Sequence, residues 1–228
     1  MNTKAYVILF SLFLAACGGG TTESGPVEKT TPVKVDVDVD VDNDKGSDDS
    51  DEDSDDSDPV PVVTNKTLTV KSNESGSARS DGTVLGVENV GDTSAGVGSQ
   101  AFVSFDLSGI PADAVIQAVT VDFSSFDTLG NPFSGLGCLR MYSDNYLPLN
   151  AGDYFGGSPL GAVARWCSAG ELSSSGPDSD VAAAVQGAVG GSRVEFRLHF
   201  NEIESNADGI GDMVRFGAIK LHVIYLSS

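Results

Sequence analysis

Positive charge is scarce in this chain: 13 Lys and Arg stand against 33 Asp and Glu, with only two His, one Trp and three Cys. A chain of formal net charge −20 repels polyanions, which excludes nucleic acid as a partner because that affinity rests on neutralising phosphates. G-x-S-x-G, H-E-x-x-H and a phosphate-cradling glycine loop are also missing, so the chain reads as non-enzymatic. No apolar run approaches the roughly 20 residues needed to cross a bilayer core. An internal repeat of solenoid or propeller length is likewise absent.

What is present begins with a short greasy leader. Lys4 supplies a positive start, Ala5 to Leu14 is almost wholly apolar, and Leu14-Ala15-Ala16-Cys17 closes the stretch. Residues 1–16 therefore read as an export signal and not as a permanent span. An ordinary signal peptide that happens to meet a cysteine fits the same residues. The Leu-Ala-Ala-Cys string resembles the lipobox of bacterial lipoproteins. That resemblance implies cleavage before Cys17, acylation of its thiol and new amino group, and membrane attachment through several acyl chains. Gly18 stands where an inner-membrane retention signal often places Asp, which implies an outer-membrane, lipid-anchored location in the cell envelope.

Residues 17–62 hold 15 acidic and 3 basic side chains; residues 63–228 hold 18 and 9. The first segment is Asp, Ser, Thr, Pro and Gly with Val as its only frequent apolar residue. It reads as a disordered, self-repelling acidic tether, reaching at most ~140 Å over about 40 residues. Asp40-Val41-Asp42-Asn43-Asp44 carries acidic residues two apart, as calcium loops do. Lys45 stands where such a loop wants Gly, and no Glu sits at its twelfth position, so diffuse cation association or a plain tether fits better.

Residues 63–228 alternate with period two and read as one all-β domain, an antiparallel two-sheet, jelly-roll-like β-sandwich with one short helix. Val103, Phe105 and Leu107 share a face, as do Val115, Gln117, Val119, Val121 and Phe123. So do Val194, Phe196, Leu198 and Phe200, and then Ile219, Leu221, Val223 and Tyr225. Asp180 to Val189 predicts the helix, with Asp180 as its cap and Gly190-Gly191 as its stop. Cys138 and Cys167 remain once Cys17 is committed to lipid. In an oxidising compartment they predict a disulfide, since a zinc pair would need two further ligands.

Phe105-Asp106-Leu107-Ser108-Gly109-Ile110-Pro111-Ala112-Asp113-Ala114-Val115-Ile116 resembles the F-D-L-S-x-I/L-P-x-x-A-x-I segment of DNRLRE-type domains, which are related to carbohydrate-binding modules. Asp180-Val181-Ala182-Ala183-Ala184-Val185-Gln186 is similar to that family's D-V-x-x-x-V-Q turn of helix. Leu221-His222-Val223-Ile224-Tyr225 resembles its closing L-x-V-x-Y strand. These are scaffold positions over residues 97–226, and Gln100-Ala101 replaces the arginine usual before the first strand. The resemblance implies a β-sandwich and glycan binding.

Binding candidates follow the alternation. Arg193, Arg197 and His199 recur along one strand, Lys220 and His222 along another, and Arg140 and Tyr142 share a face beside Cys138. Together they would form a basic face suited to carboxylates of uronic-acid sugars, or else a solvated face paired with acids such as Glu195. Trp166, Tyr142, Tyr146 and Tyr154 are candidate platforms for sugar rings, unless Trp166 packs on the bridge. Glu204, Asn206, Asp208 and Asp212 crowd one glycine-bent loop, as Ca²⁺ ligands or as a solvated acidic turn. Asp144, Asn150 and Asp153 form a weaker set of the same kind. Polysaccharide binding leads, with an envelope protein as the alternative partner.

Overall fold

The structure is a computed structural model that describes residues 60–155, 161–200 and 204–228. The leader, Cys17, Gly18 and the Asp40–Asp44 run lie outside the described residues, as does nearly all of the acidic segment. The alternating stretches form ten strands: β1 (Val62–Thr69), β2 (Gly76–Arg79), β3 (Val84–Leu85), β4 (Asn89–Asp92), β5 (Gly98–Asp106), β6 (Val115–Leu129), β7 (Leu139–Ser143), β8 (Ala164–Trp166), β9 (Arg193–Phe200) and β10 (Met213–Ser227). Helical turns are α1 (Pro132–Gly135), a 3-10 turn at Ala151–Asp153, α2 (Ala169–Ser173) and α3 (Ser179–Ala188), so the one expected helix is joined by shorter turns. Among the described residues no helix is long and apolar enough to cross a membrane.

All pairings are antiparallel, and they link the strands into one sheet in the order β1-β10-β4-β5-β9-β7-β8. Strand β6 runs along the other edge of β10, β2 along the other edge of β5, and β3 along β2. Where the alternation predicts two sheets, the hydrogen bonds run through one sheet that curls onto itself. The continuity depends on β4, a four-residue strand without apolar alternation that carries the pairing from β10 to β5. The curl brings distant strands together: Phe123 of β6 meets Trp166 of β8 edge to face, with ring centroids 4.8 Å apart.

Inside the curl the expected faces are buried. Val119, Val121 and Phe123 of β6 meet Val194, Phe196, Leu198 and Phe200 of β9 and Ile219, Leu221, Val223 and Tyr225 of β10 in one cluster. Each such side chain removed from water contributes roughly 1.5–3 kcal/mol. Val115 and Gln117, expected on this face, are exposed because the register against β10 skips Gln117, between Ile116 and Ala118, and the change of phase puts Ala114 and Ile116 on the core instead. Helix α3 buries Val181 and Val185, one turn apart. Its cap is Asp178, not Asp180: the Asp178 carboxylate accepts from the N–H groups of Asp180 and Val181 at 2.8 and 3.1 Å. Gln186 then bridges to β6, accepting from Ile116 N–H at 2.7 Å and donating to Ala114 O at 3.2 Å.

One strand departs from simple alternation. Every β5 residue from Gly98 to Phe105 is buried, on both faces. The outer face is covered by the segment around Tyr146, whose ring packs edge to face on Phe102 at 5.1 Å. Tyr146 N–H donates to Glu195 Oε2 and its hydroxyl to Glu74 O, both at 2.9 Å. Gln100, itself buried, holds the end of this cover by donating to Phe155 O and accepting from Phe155 N–H. The cover explains why Glu195, expected on a solvated face, is 7% exposed.

Candidate functional site: the outer face of β9, β7 and β8

Because Leu139 and Met141 of β7 and the even-numbered residues of β9 point into the core, Arg140, Tyr142, Arg193, Glu195, Arg197 and His199 point outward. Register makes neighbours of four of the expected residues: Arg140 lies opposite His199, and Tyr142 opposite Arg197. The Tyr142 ring stacks on the His199 imidazole with centroids 4.9 Å apart. The Arg197 guanidinium lies 5.9 Å from the Tyr142 ring centre and 5.4 Å from that of Phe155, a half-exposed aromatic. Asp144 Oδ2 stands 3.4 Å from Arg197 Nε, an ion pair without hydrogen-bond alignment.

This face is outward but not solvated, contrary to the sequence expectation. His199 is 1% and Tyr142 3% exposed. Among the described residues, four of the five buried side-chain polar atoms with no hydrogen-bond partner lie here: Arg140 Nε, Tyr142 Oη, Arg197 Nε and His199 Nε2. A carbonyl can only accept, so the 2.7 Å contact of His199 Nδ1 with Phe200 O places the proton on Nδ1. Nε2 is then a bare acceptor. Burial pushes the imidazole down to about 4; the bond to Phe200 O opposes this, and the nearby Arg197 and Arg140 charges add to it.

The remaining members of the basic set stand elsewhere. Arg193 reaches Glu74 at 3.4 Å and lines a groove of about 580 Å³ with Asn73, Leu85, Leu147 and Leu149. Lys220 and His222 are on β10, which is not paired with β9, so no single basic face unites all seven residues. His222 Nε2 donates to Asp122 Oδ2 at 3.0 Å, and its Nδ1 meets Thr67 Oγ1 at 3.0 Å. Burial raises the Asp122 carboxyl, but hydrogen bonds from His222 and Ser124 outweigh it and hold it below the ordinary value. This Thr-His-Asp line joins three strands and was invisible to local spacing. It lies on an open sheet face with His222 half-exposed, where water competes for each member.

Among the described residues no group of three His, Cys, Asp or Glu side chains is placed to hold a metal. Glu204 accepts from the Tyr154 hydroxyl and, at 2.9 Å, from Gln100 Nε2. Asp208 accepts from Ile210 N–H at 2.7 Å, and Asn206 Oδ1 from Asp208 N–H at 3.2 Å. Asp212, 4% exposed, accepts from Asn131 N–H at 2.6 Å and Asn206 Nδ2 at 2.8 Å. Gly130, at φ +61, is required beside it because a Cβ there would overlap Asp212 Oδ1. Protein N–H and O–H groups thus reach the oxygens of all four residues. The weaker set is similarly used: Asn150 and Asp153 cap the 3-10 turn reciprocally, and Asp144 pairs with Arg197.

Cys138 and Cys167 form the expected disulfide, one register step beyond the Leu139–Trp166 pair of β7 and β8. Trp166 is buried, with Nε1 donating to Ser175 Oγ at 2.9 Å, so its ring faces the core and is closed to sugar stacking. Tyr146 is buried under the cover already described. Two residues of this face were missed. Phe155 had no alternating pattern around it, whereas Arg165, exposed between buried Ala164 and Trp166, carried a period-two signal in a strand too short to notice. Compared with protein-family models, curated proteins and solved structures, the chain matches none of them.

Proposed function

We propose that this is a lipid-anchored cell-envelope protein whose β-domain, a jelly-roll-like sandwich in the manner of DNRLRE-type domains, binds glycans without catalysis. The observation that carries the reading is the Arg197 guanidinium between the Tyr142 and Phe155 rings, beside Arg140 and the acceptor Nε2 of His199. The half-exposed Phe155 ring set against the Arg197 fork suits a saccharide, which offers C–H faces and hydroxyls together. The Leu-Ala-Ala-Cys string at 14–17 and Gly18 support acylation of Cys17 and outer-membrane residence.

The test uses the acylated full chain in detergent on a glycan array, with and without Ca²⁺. Saccharide signal that falls at least tenfold in Arg197→Ala is expected, equal in both buffers. A polysaccharide panel is expected to release no reducing ends. Mass spectrometry of the mature N-terminus is expected to find acylated Cys17, and an unmodified terminus would remove the anchor from the reading. A second reading, an interaction subunit of an envelope assembly, is favoured by one feature. Val63, Leu226 and Val115 stand in register across β1, β10 and β6, with the two valines more than half exposed. A blank array together with a stoichiometric envelope partner, lost in Val63→Asp, would replace the first reading by the second.

A further inference from the structure

Nine Lys and Arg lie in the described part of the chain, and seven have an evident partner. Lys71 and Arg193 meet Glu74 at 2.7 and 3.4 Å, Arg79 meets Asp81 at 3.4 Å, and Arg197 meets Asp144 at 3.4 Å. Arg215 stands 4.0 Å from Asp127, Lys220 4.0 Å from Asp122, and Lys66 donates to Gly109 O at 2.6 Å. The two left over are Arg140 and Arg165, neither with an ion pair or side-chain hydrogen bond among the described residues. They are directly opposite each other in the β7–β8 register.

Side chains facing each other across an antiparallel pair have Cβ atoms about 4.5–5.5 Å apart, and like charges so placed repel. Relief was available in a domain with twice as many acids as bases, yet among the described residues no carboxylate reaches either arginine. The arrangement is held from both directions: the Cys138–Cys167 bridge ties β8 to β7 next to the pair, and β9 sets His199 beside Arg140 as the third member of the row. That imidazole is neutral and presents an acceptor, so it adds no charge to the row.

We infer that Arg140 and Arg165 form a binding site for a doubly charged oxyanion, a phosphomonoester, gripped between two guanidinium forks. Two uncompensated positive charges call for about two negative ones. A phosphomonoester carries roughly −1.5 to −2 near neutral pH and three acceptor oxygens, whereas a carboxylate carries one charge and leaves half the repulsion in place. Arginine matches phosphate oxygens two at a time, so one group engages both forks. The half-exposed Phe155 ring, against Arg197 on the same face, offers an apolar surface to the alcohol that carries the phosphate. The inference rests on the glycan reading only for that carrier; the charge argument stands without it.

The experiment is calorimetric titration of the full chain, at constant ionic strength, with glucose 6-phosphate, inorganic phosphate, glucuronate and glucose. It compares the native protein with Arg140→Gln, Arg165→Gln and the remote control Arg215→Gln, each checked for folding by thermal melting. Glucose 6-phosphate is expected to bind at least tenfold more weakly to Arg140→Gln and Arg165→Gln, and unchanged to Arg215→Gln. Inorganic phosphate binding as tightly as the sugar phosphate would uphold the oxyanion site while removing the sugar from it. Glucuronate binding as tightly as the phosphate ester would overturn the assignment of a dianion. Absent phosphate binding, or binding that survives Arg165→Gln, overturns the site. If glycan signal persists on an array in that case, the glycan reading stands alone.

Discussion

Asp92 and Asp212, both buried, hold each other's backbones: Asp212 N–H donates to Asp92 Oδ1 at 2.9 Å, and Asp92 N–H donates to Asp212 O at 2.7 Å. Asn206 spans the two carboxylates, its N–H on Asp92 Oδ2 at 3.2 Å and its amide on Asp212 Oδ2 at 2.8 Å. The pair therefore fastens β4, the start of β10 and the loop after β6 at one point. Replacing Asp212 by Ala strands the Asn131 N–H and the Asn206 amide, and should cost about 2–4 kcal/mol. Urea denaturation measures this. Because N–H donors already occupy these oxygens, excess EDTA should leave the melting temperature of the native protein unchanged.

His199 ties stability to pH. Its folded value of about 4 lies below the ordinary histidine value of 6.5, so the unfolded chain binds the proton more readily. The contribution is complete above the unfolded value and is lost as pH falls toward the folded one. Between pH 7 and pH 5 this amounts to about 2 kcal/mol. A His199→Phe variant should lose correspondingly less stability over that interval, seen in urea midpoints at the two pH values. Equal slopes for the two proteins would contradict a neutral buried imidazole.

The disulfide closes a sequence separation of 29 residues between adjacent strands. In the chain-entropy model, reduction should lower stability by roughly 3–4 kcal/mol. Trp166 is the single tryptophan and sits one residue from the bridge, against Phe123. Its fluorescence should redshift at lower urea in the presence of reductant, and Cys138→Ser with Cys167→Ser should reproduce that shift.

Arg165→Glu should stabilise the fold, since it exchanges a repulsion across β7–β8 for an attraction. The gain should be about 0.2–1 kcal/mol, read as a higher melting temperature, while Arg165→Lys should change little. A site residue whose loss improves stability is the usual trade between function and folding.

Much of the interior was legible from spacing. Ile219, Leu221, Val223 and Tyr225 had to face one way once β10 was a strand, and they are buried. The cap of α3 was misplaced by two residues because Asp178 and Asp180 have the same chemistry, and only the N–H groups within reach tell them apart. The outer face of β5 was unreadable for another reason: its cover, built on Tyr146 and Gln100, comes from segments far away in the chain.

From its sequence alone this chain was bound to be an acidic, mostly β protein with one cysteine pair in its folded part, since charge, period-two alternation and counts of thiols are local quantities. Tertiary structure decided which outward side chains became neighbours. Alternation tells a residue its face but not the strand beside it, so the meeting of Arg140 with Arg165 and His199, and the parting of both from Lys220 and His222, arose only from register and from the order of strands in the curled sheet.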